Sequence, residues 1–297
     1  MSKAFEKQTD GLDPFTITDL FLYRYAEKYC FDPFPSKKLF DQEIILRTLG
    51  VFAKFWSKGK VKTRLAKSIG EEAAARIYLQ FLIATLELSR AVECQRILAF
   101  SPADKAVQFS SLESAMDHQL IPQVSGDLGA RMQDFFDRRF HPDSVDVRAS
   151  SSDHKVLLIG SDTPNLQPQL IDVAFESLEN NDVVIGPSPD GGYYLIGARN
   201  KTPNIFDDMT WSSESVFAAT LSRLKMNGDR FAVLEPFNDV DEIADLQTLI
   251  ADLKNNRADL DCRLLTLLEE VLVILDAECL PDELPSRPEP PPLKGEG

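Results

Sequence analysis

The sequence predicts an α/β fold, a mainly parallel mixed sheet with helices on both faces. Three observations carry that expectation. Short apolar runs of strand length alternate with longer stretches of helical period throughout residues 46–250, and such alternation builds a sheet joined by crossover helices. Several runs empty into polar, glycine-bearing loops that hold charges: Lys58-Gly59-Lys60, Gly160-Ser161-Asp162 and Asp190-Gly191-Gly192. Finally, Pro187-Ser188-Pro189-Asp190-Gly191-Gly192 separates Asp182–Gly186 from Tyr193–Gly197. A proline-rich Asp-Gly turn between two apolar runs predicts a sharp reversal, hence some antiparallel pairing at one side.

Residues 1–45 read as an accessory helical segment. Thr16-x-x-Asp19 resembles a capping box ahead of Ile17, Leu20, Phe21 and Tyr25, and Asp32-Pro33-Phe34-Pro35 breaks the helix. The main domain, 46–255, opens with the buried strand Leu49–Ala53. It empties into a loop carrying Lys54, Lys58, Lys60, Lys62, Arg64 and Lys67 with no acid among them, and Gly59 sits where the loop must turn or let backbone approach a ligand. A cation ~4 Å from a phosphate oxygen gains ~4 kcal/mol at an effective dielectric of ~20, before desolvation. A strand, a basic loop and a helix together read as a phosphate grip, against the plainer reading of a solvated basic loop.

Ser68-x-x-Glu71 is the expected start of the next helix, with Ala74, Ile77, Tyr78, Phe81, Leu82 and Leu86 as its core face. Gln95–Phe100 reads as a strand and Ala103–Ala115 as a helix. Asp127 is the expected cap of a helix burying Met132, Phe135 and Phe136, with Arg131 one turn in, within reach of a phosphate or ribose. Lys155–Ile159 is another buried strand ending at Asp162, and ligands of open α/β sheets sit beyond such carboxyl ends. Pro168 suits a helix's first turn. Gly191 and Gly192 would let a ligand lie against backbone, beside Asp190. Ser212 or Ser213 is the expected cap before Val216, Phe217, Thr220 and Leu224. Phe231–Leu234 reads as a strand, and Asp239 and Asp241 either cap the following helix or bind a metal together with Asp162.

Residues 256–280 contain a leucine-rich helix whose Leu264, Leu267, Leu268, Val271 and Leu275 want a partner surface, and 281–297 is a Pro- and Glu-rich tail of disordered composition. With a formal charge of −15, the chain argues against nucleic acid or an anionic membrane as its main partner. Scattered cysteines, no apolar leader and no apolar run long enough to span a bilayer suit a cytoplasmic protein. Three separated histidines suit surface or loop positions and no zinc site. The terminal helices are candidate contacts for a homo-oligomer.

The blocks KFWSKGKVKTRLAKSIG, SGDLGARM, LLIGSDTPNL, VVIGPSPDGGYYLIG, WSSESV and NDVDEIADL occur in that order. They resemble the GT-A-like transferases labelled arsenosugar-biosynthesis glycosyltransferases, also described as radical-SAM/selenodomain-associated transferases. That family is related in fold to nucleotide-diphosphosugar transferases and small guanylyltransferases. The resemblance covers residues 46–250 and implies a three-layer sandwich with a nucleotide site where the first strand ends. It implies that Lys62 and Arg64 bind the donor's phosphates, that Asp162 binds metal, and that Asp239 or Asp241 is the second acid. The family's prolines before Gly59 are replaced here by Phe55-Trp56-Ser57-Lys58, where Trp56 reads as an apolar anchor.

The expected activity is transfer from a nucleoside-diphosphate sugar to a small acceptor. Mg²⁺ or Mn²⁺ would sit on the acids, and Asp190 would orient sugar hydroxyls or act as a base. Two alternatives stand beside it: a nucleotidyltransferase consuming an NTP and releasing pyrophosphate, and a non-catalytic partner-binding protein on the same fold.

Overall fold

The computed structural model describes residues 46–141, 153–211 and 213–278. The accessory helix expected within 1–45, the Ser212 cap and the tail 281–297 lie outside the described residues. The first apolar run becomes β1 (Leu46–Lys54), an interior strand of a seven-stranded sheet ordered β3-β2-β1-β4-β6-β5-β7. Its partners are β2 (Gln95–Ser101), β3 (Gln119–Pro122), β4 (His154–Ile159), β5 (Val183–Pro187), β6 (Tyr193–Arg199) and β7 (Phe231–Val233). β1 pairs in parallel with β2 and β4, bringing Val51 opposite both Leu98 and Ile159. β6 alone runs against the described sheet, antiparallel to β4 on one side and β5 on the other. That is the reversal expected at Asp190–Gly192.

Strand pleating sends alternate residues to opposite faces. Leu49, Val51 and Ala53 of β1 join a core covered by α2 (Glu71–Arg90) and α5 (Pro168–Ser177). On the other face, Phe52 packs against a core covered by α4 (Leu128–Phe140) and α6 (Val216–Asn227). The result is the expected three-layer sandwich. Outside α2 a further apolar cluster gathers α1 (Thr63–Ile69), α7 (Ile243–Asn255) and α8 (Cys262–Glu278). The leucine face of α8 therefore finds its cover inside this chain: Leu264, Leu267, Leu268 and Val271 are buried with Ile77 and Phe81 of α2.

Several local expectations give way to the structure. Ser68 lies inside α1, and α2 starts after Gly70, whose positive φ of 83° ends the first helix and begins the second. The single helix expected over Ala103–Ala115 is two 3₁₀ turns flanking the five-residue α3 (Ala106–Ser110). Its stripe is short of apolar residues, and only Phe109, Ser114 and Ala115 are buried. β3 has no counterpart in the sequence reading, because its four residues alternate weakly and end in Pro122, tolerable at a sheet edge. Asp127 does cap α4, its side chain accepting from the Ala130 N–H. Ser213 does not cap α6; its hydroxyl donates to the Thr210 carbonyl instead, and Ser215 stands at the helix start. No described helix is long and apolar enough to cross a membrane. Cys94 and Cys262 are free thiols.

His118 lies in a loop, one of its two expected settings, but is buried there, being 6% exposed. The Ser89 hydroxyl donates to the Leu86 carbonyl, so it accepts from His118 Nε2–H at 2.6 Å. Nδ1 is then the unprotonated nitrogen, buried without a partner. Burial lowers the pKa of His118 from 6.5 to about 4. The unfolded chain therefore binds this proton at higher pH than the folded one. The stabilising contribution is complete above pH 6.5, is lost as pH falls from 6.5 to about 4, and changes no further below. Its size is about 3 kcal/mol. Urea unfolding at a series of pH values should show that loss, and His118→Gln, which keeps the donor to Ser89 but does not titrate, should flatten it.

Candidate active site

Loops at the carboxyl ends of β1, β4, β5 and β7 are stitched together by a few polar contacts. Tyr78 of α2 sits beneath the first two. Its phenol oxygen accepts from the Lys54 N–H at 2.9 Å and from the Ser161 hydroxyl at 3.0 Å. Burial, with the Asp162 charge adding to it, pushes the Tyr78 pKa well up, so the phenol stays neutral. The loop after β7 is tied to the loop after β4 by Val240 N–H donating to the Asp162 carbonyl at 2.9 Å. Asp239 completes the stitching, accepting from Thr163 at 2.7 Å and Ser188 at 3.3 Å.

At the centre stands Lys62, the residue before α1. Its backbone is left-handed, φ 45° and ψ 46°, a conformation uncommon for a residue with a side chain and costly unless its surroundings hold it. Its side chain is only 2% exposed, and the ammonium lies 2.5 Å from Asp162 Oδ1 and 2.9 Å from Asp241 Oδ1. Beneath it the Phe81 ring centroid is 5.7 Å away. Burial works against the charge, but the two carboxylates outweigh it and hold the Lys62 pKa above its ordinary value. Both acids keep an open side: Asp162 and Asp241 are 46% and 43% exposed.

Of the expected site residues, the structure brings Lys62, Asp162 and Asp241 into contact, with Arg64 at the rim, 3.9 Å from Asp241 and largely exposed. Asp239 does not share the ammonium; it faces two hydroxyls, and burial, with Asp162 and Asp190 nearby, lifts its pKa to about 6. Neither aspartate caps α7. That work falls to a capping box in which Glu242 is the N-cap, its side chain accepting from the Asp245 N–H, while the Asp245 carboxylate accepts from the backbone N–H groups of Asp241 and Glu242. The basic loop is less free than its sequence implies, because Lys58 pairs with Glu72 of α2. Lys54 and Lys60 are exposed at its two ends, and Gly59 takes a positive φ of 67°.

Arg131 belongs to the β1–β2 side. It donates to the Gly126 carbonyl and to Gln123, whose own amide donates to the Ala99 carbonyl at 2.7 Å. Trp56 is an apolar anchor, packed against Phe55, Phe109, Val61 and Tyr78. Asp190 accepts from the Gly192 N–H at 3.0 Å, a local turn. Gly191, at φ 89°, leaves no room for a Cβ, which would run into the Glu214 carbonyl, and its own carbonyl accepts from the Phe217 N–H. Close backbone packing thus explains this glycine without any ligand.

Tyr78, Thr163 and Ser188 escaped the sequence reading. Tyr78 fell on an apolar helical stripe and counted as core. The available signal was its hydroxyl, since a phenol buried on such a face needs a polar partner.

A family of uncharacterized proteins conserved in bacteria (DUF2064) matches residues 84–213. No curated protein matches the chain. Among solved structures, a Desulfovibrio desulfuricans G20 protein provisionally assigned as a nucleotide-diphospho-sugar transferase is 29% identical. The match covers 79% of this chain and 99% of that one, with a TM-score of 0.68. A nucleotidyl transferase from Methanothermobacter thermautotroptrophicus is 15% identical over 71% of this chain and 99% of its own, TM-score 0.48. A Mycobacterium tuberculosis H37Rv protein solved with manganese is 16% identical over 68% of this chain and 97% of its own, TM-score 0.38. The first of these has the same three-layer α/β fold along nearly its whole length.

Because a side chain at Gly191 meets backbone, Gly191→Val should destabilise the ligand-free protein. A loss of about 2 kcal/mol or more follows from a strained φ combined with a clash. Chemical denaturation without nucleotide measures it.

Proposed function

We propose that the protein is a metal-dependent transferase that moves a glycosyl group from a nucleoside-diphosphate sugar to a small acceptor. The observation that carries this reading is the meeting of Asp162 and Asp241, half-exposed, around one buried lysine at the carboxyl ends of the parallel strands. Ligands of open α/β sheets bind at that edge. The 29% identical, fold-wide likeness to the Desulfovibrio protein supports the same substrate class.

The donor chemistry suits a hard divalent cation. Two carboxylates with open sides can hold Mg²⁺ or Mn²⁺ when phosphate oxygens and water supply the other ligands. Among the described residues no group of three or more His, Cys, Asp or Glu converges, so the protein's share would be these two acids. When bound, the ion would neutralise charge developing on the leaving diphosphate.

The chain's own residues then divide the work. Exposed Arg64, with Lys60 and Lys54 beside the loop, binds the diphosphate. Asp239, held by Thr163 and Ser188, keeps the two acid-bearing loops in register. Arg131, held by Gln123 and Gly126, reaches the nucleoside side, and Asp190 orients sugar hydroxyls. In the reaction the bond from the anomeric carbon to the diphosphate oxygen breaks, its electron pair leaving with the diphosphate. The acceptor oxygen forms the new bond to the anomeric carbon, and its proton passes to bulk water.

A thermal-shift panel of nucleoside diphosphates, triphosphates and sugar nucleotides, with and without MnCl₂, tests the reading. A sugar nucleotide with Mn²⁺ at about a hundred times its Kd should add about 2.7 kcal/mol. A shift with triphosphates alone would point to nucleotidyl transfer, and no shift with any member would end the proposal. Asp162→Asn should remove the Mn²⁺-dependent part. Arg64→Ala should weaken diphosphate binding by about 1.5–3 kcal/mol while leaving the melting temperature of the free protein unchanged, as isothermal titration would measure.

A further inference from the structure

Lys62 is not placed like a residue that waits for phosphate. A phosphate-gripping lysine extends a solvated ammonium towards the ligand. This one is 2% exposed, lies over the Phe81 ring, and spends its charge on two carboxylates of its own chain. The left-handed backbone at Lys62 departs from the geometry a helix entry favours, and persists because the surrounding contacts fix it. The acids open outward on the side away from it, each about half exposed.

We infer that Lys62 is an internal counter-ion, a positioning residue that makes cation binding depend on the polyphosphate. The inference rests on the transferase reading above. With the ammonium in place, the Lys62–Asp162–Asp241 cluster carries one net negative charge. That is too little to hold a divalent ion firmly against water, since each carboxylate is already half satisfied. A diphosphate arriving at Arg64 brings the missing negative charge and further oxygen ligands, and the ion then binds with it. Arg64 contributes less to this balance, being 64% exposed and 3.9 Å from Asp241. The residue expected from the resemblance to touch phosphate thus acts through the acids instead.

The test is calorimetric titration of MnCl₂ into the full chain, alone and in the presence of inorganic pyrophosphate, for the native protein, Lys62→Met and Lys62→Gln. Removing a unit charge in contact with both acids should tighten Mn²⁺ binding in the absence of pyrophosphate by about tenfold or more. Both variants should show it, while the native protein binds Mn²⁺ alone weakly and gains at least tenfold with pyrophosphate. Glutamine keeps hydrogen-bond donors without the charge, and it guards against a methionine variant that fails to fold. Unchanged or weaker Mn²⁺ affinity in a folded Lys62→Gln protein would overturn the inference while leaving the metal site standing. Tight Mn²⁺ binding to the native protein without pyrophosphate would do the same. Absence of Mn²⁺ binding in all three proteins, even with pyrophosphate, would overturn the transferase reading and this inference together.

Discussion

A single buried ammonium decides how the carboxyl edge of this sheet is put together. Lys62 comes from the loop after β1, Asp162 from the loop after β4, and Asp241 from the approach to α7. Nothing in local backbone preference brings these three segments to one point. Removing one partner of a buried ion pair typically costs about 3–5 kcal/mol, because the other charge is left uncompensated. The open sides of both acids soften that cost here. The same openness is what leaves their oxygens available to a ligand.

Around the ion cluster, further hydrogen bonds do the bracing. Tyr78 anchors the exit of β1 and the exit of β4 to the same helix face. Asp239 gathers Thr163 and Ser188, and the Val240 amide holds the Asp162 backbone. Each of these groups is buried or nearly so, where an unpaired polar atom costs about 1–3 kcal/mol. The loops therefore have a narrow set of arrangements in which every group is satisfied, and that set fixes the spacing of the charged residues. Loops held in this way, with half-exposed acids between them, suit the proposed binding of a diphosphate and a cation together.

The outer helices extend the same logic. α8 uses its leucine face on α2, the helix that also carries Tyr78 and Phe81. Packing outside the sandwich thus stiffens the helix on which Lys62 and both strand exits lean. The leucine stripe was legible as a face in need of cover, but amphipathic period says nothing of which surface supplies the cover. Here it is the chain's own second layer.

Much of the fold could be read directly from the residues. Apolar runs at Leu49–Ala53, Gln95–Phe100 and Lys155–Ile159 are strands because continuous β-branched and aliphatic stretches of that length suit a sheet buried on both faces. The proline- and glycine-bearing turn at Pro187–Gly192 foretold the one reversed strand described. β3 escaped because four weakly patterned residues at an edge carry too little signal. The break near Ala103 escaped because caps and 3₁₀ turns depend on neighbours that packing supplies.

The site was legible only as a set of candidates. Sequence by itself marked the charged loops at strand ends, since charge and glycine must gather where strands stop and ligands approach. Tertiary structure alone separated Asp241, which shares the lysine, from Asp239, which faces two hydroxyls two residues away. It alone gave Gly191 a packing reason, in the Glu214 backbone pressed against it. It also turned Lys62 inward, onto the carboxylates of Asp162 and Asp241. The physical reason is that an ion pair or a close contact between segments tens of residues or more apart depends on distances in space. Those distances are set by the whole packed sheet, not by the spacing of residues along the chain.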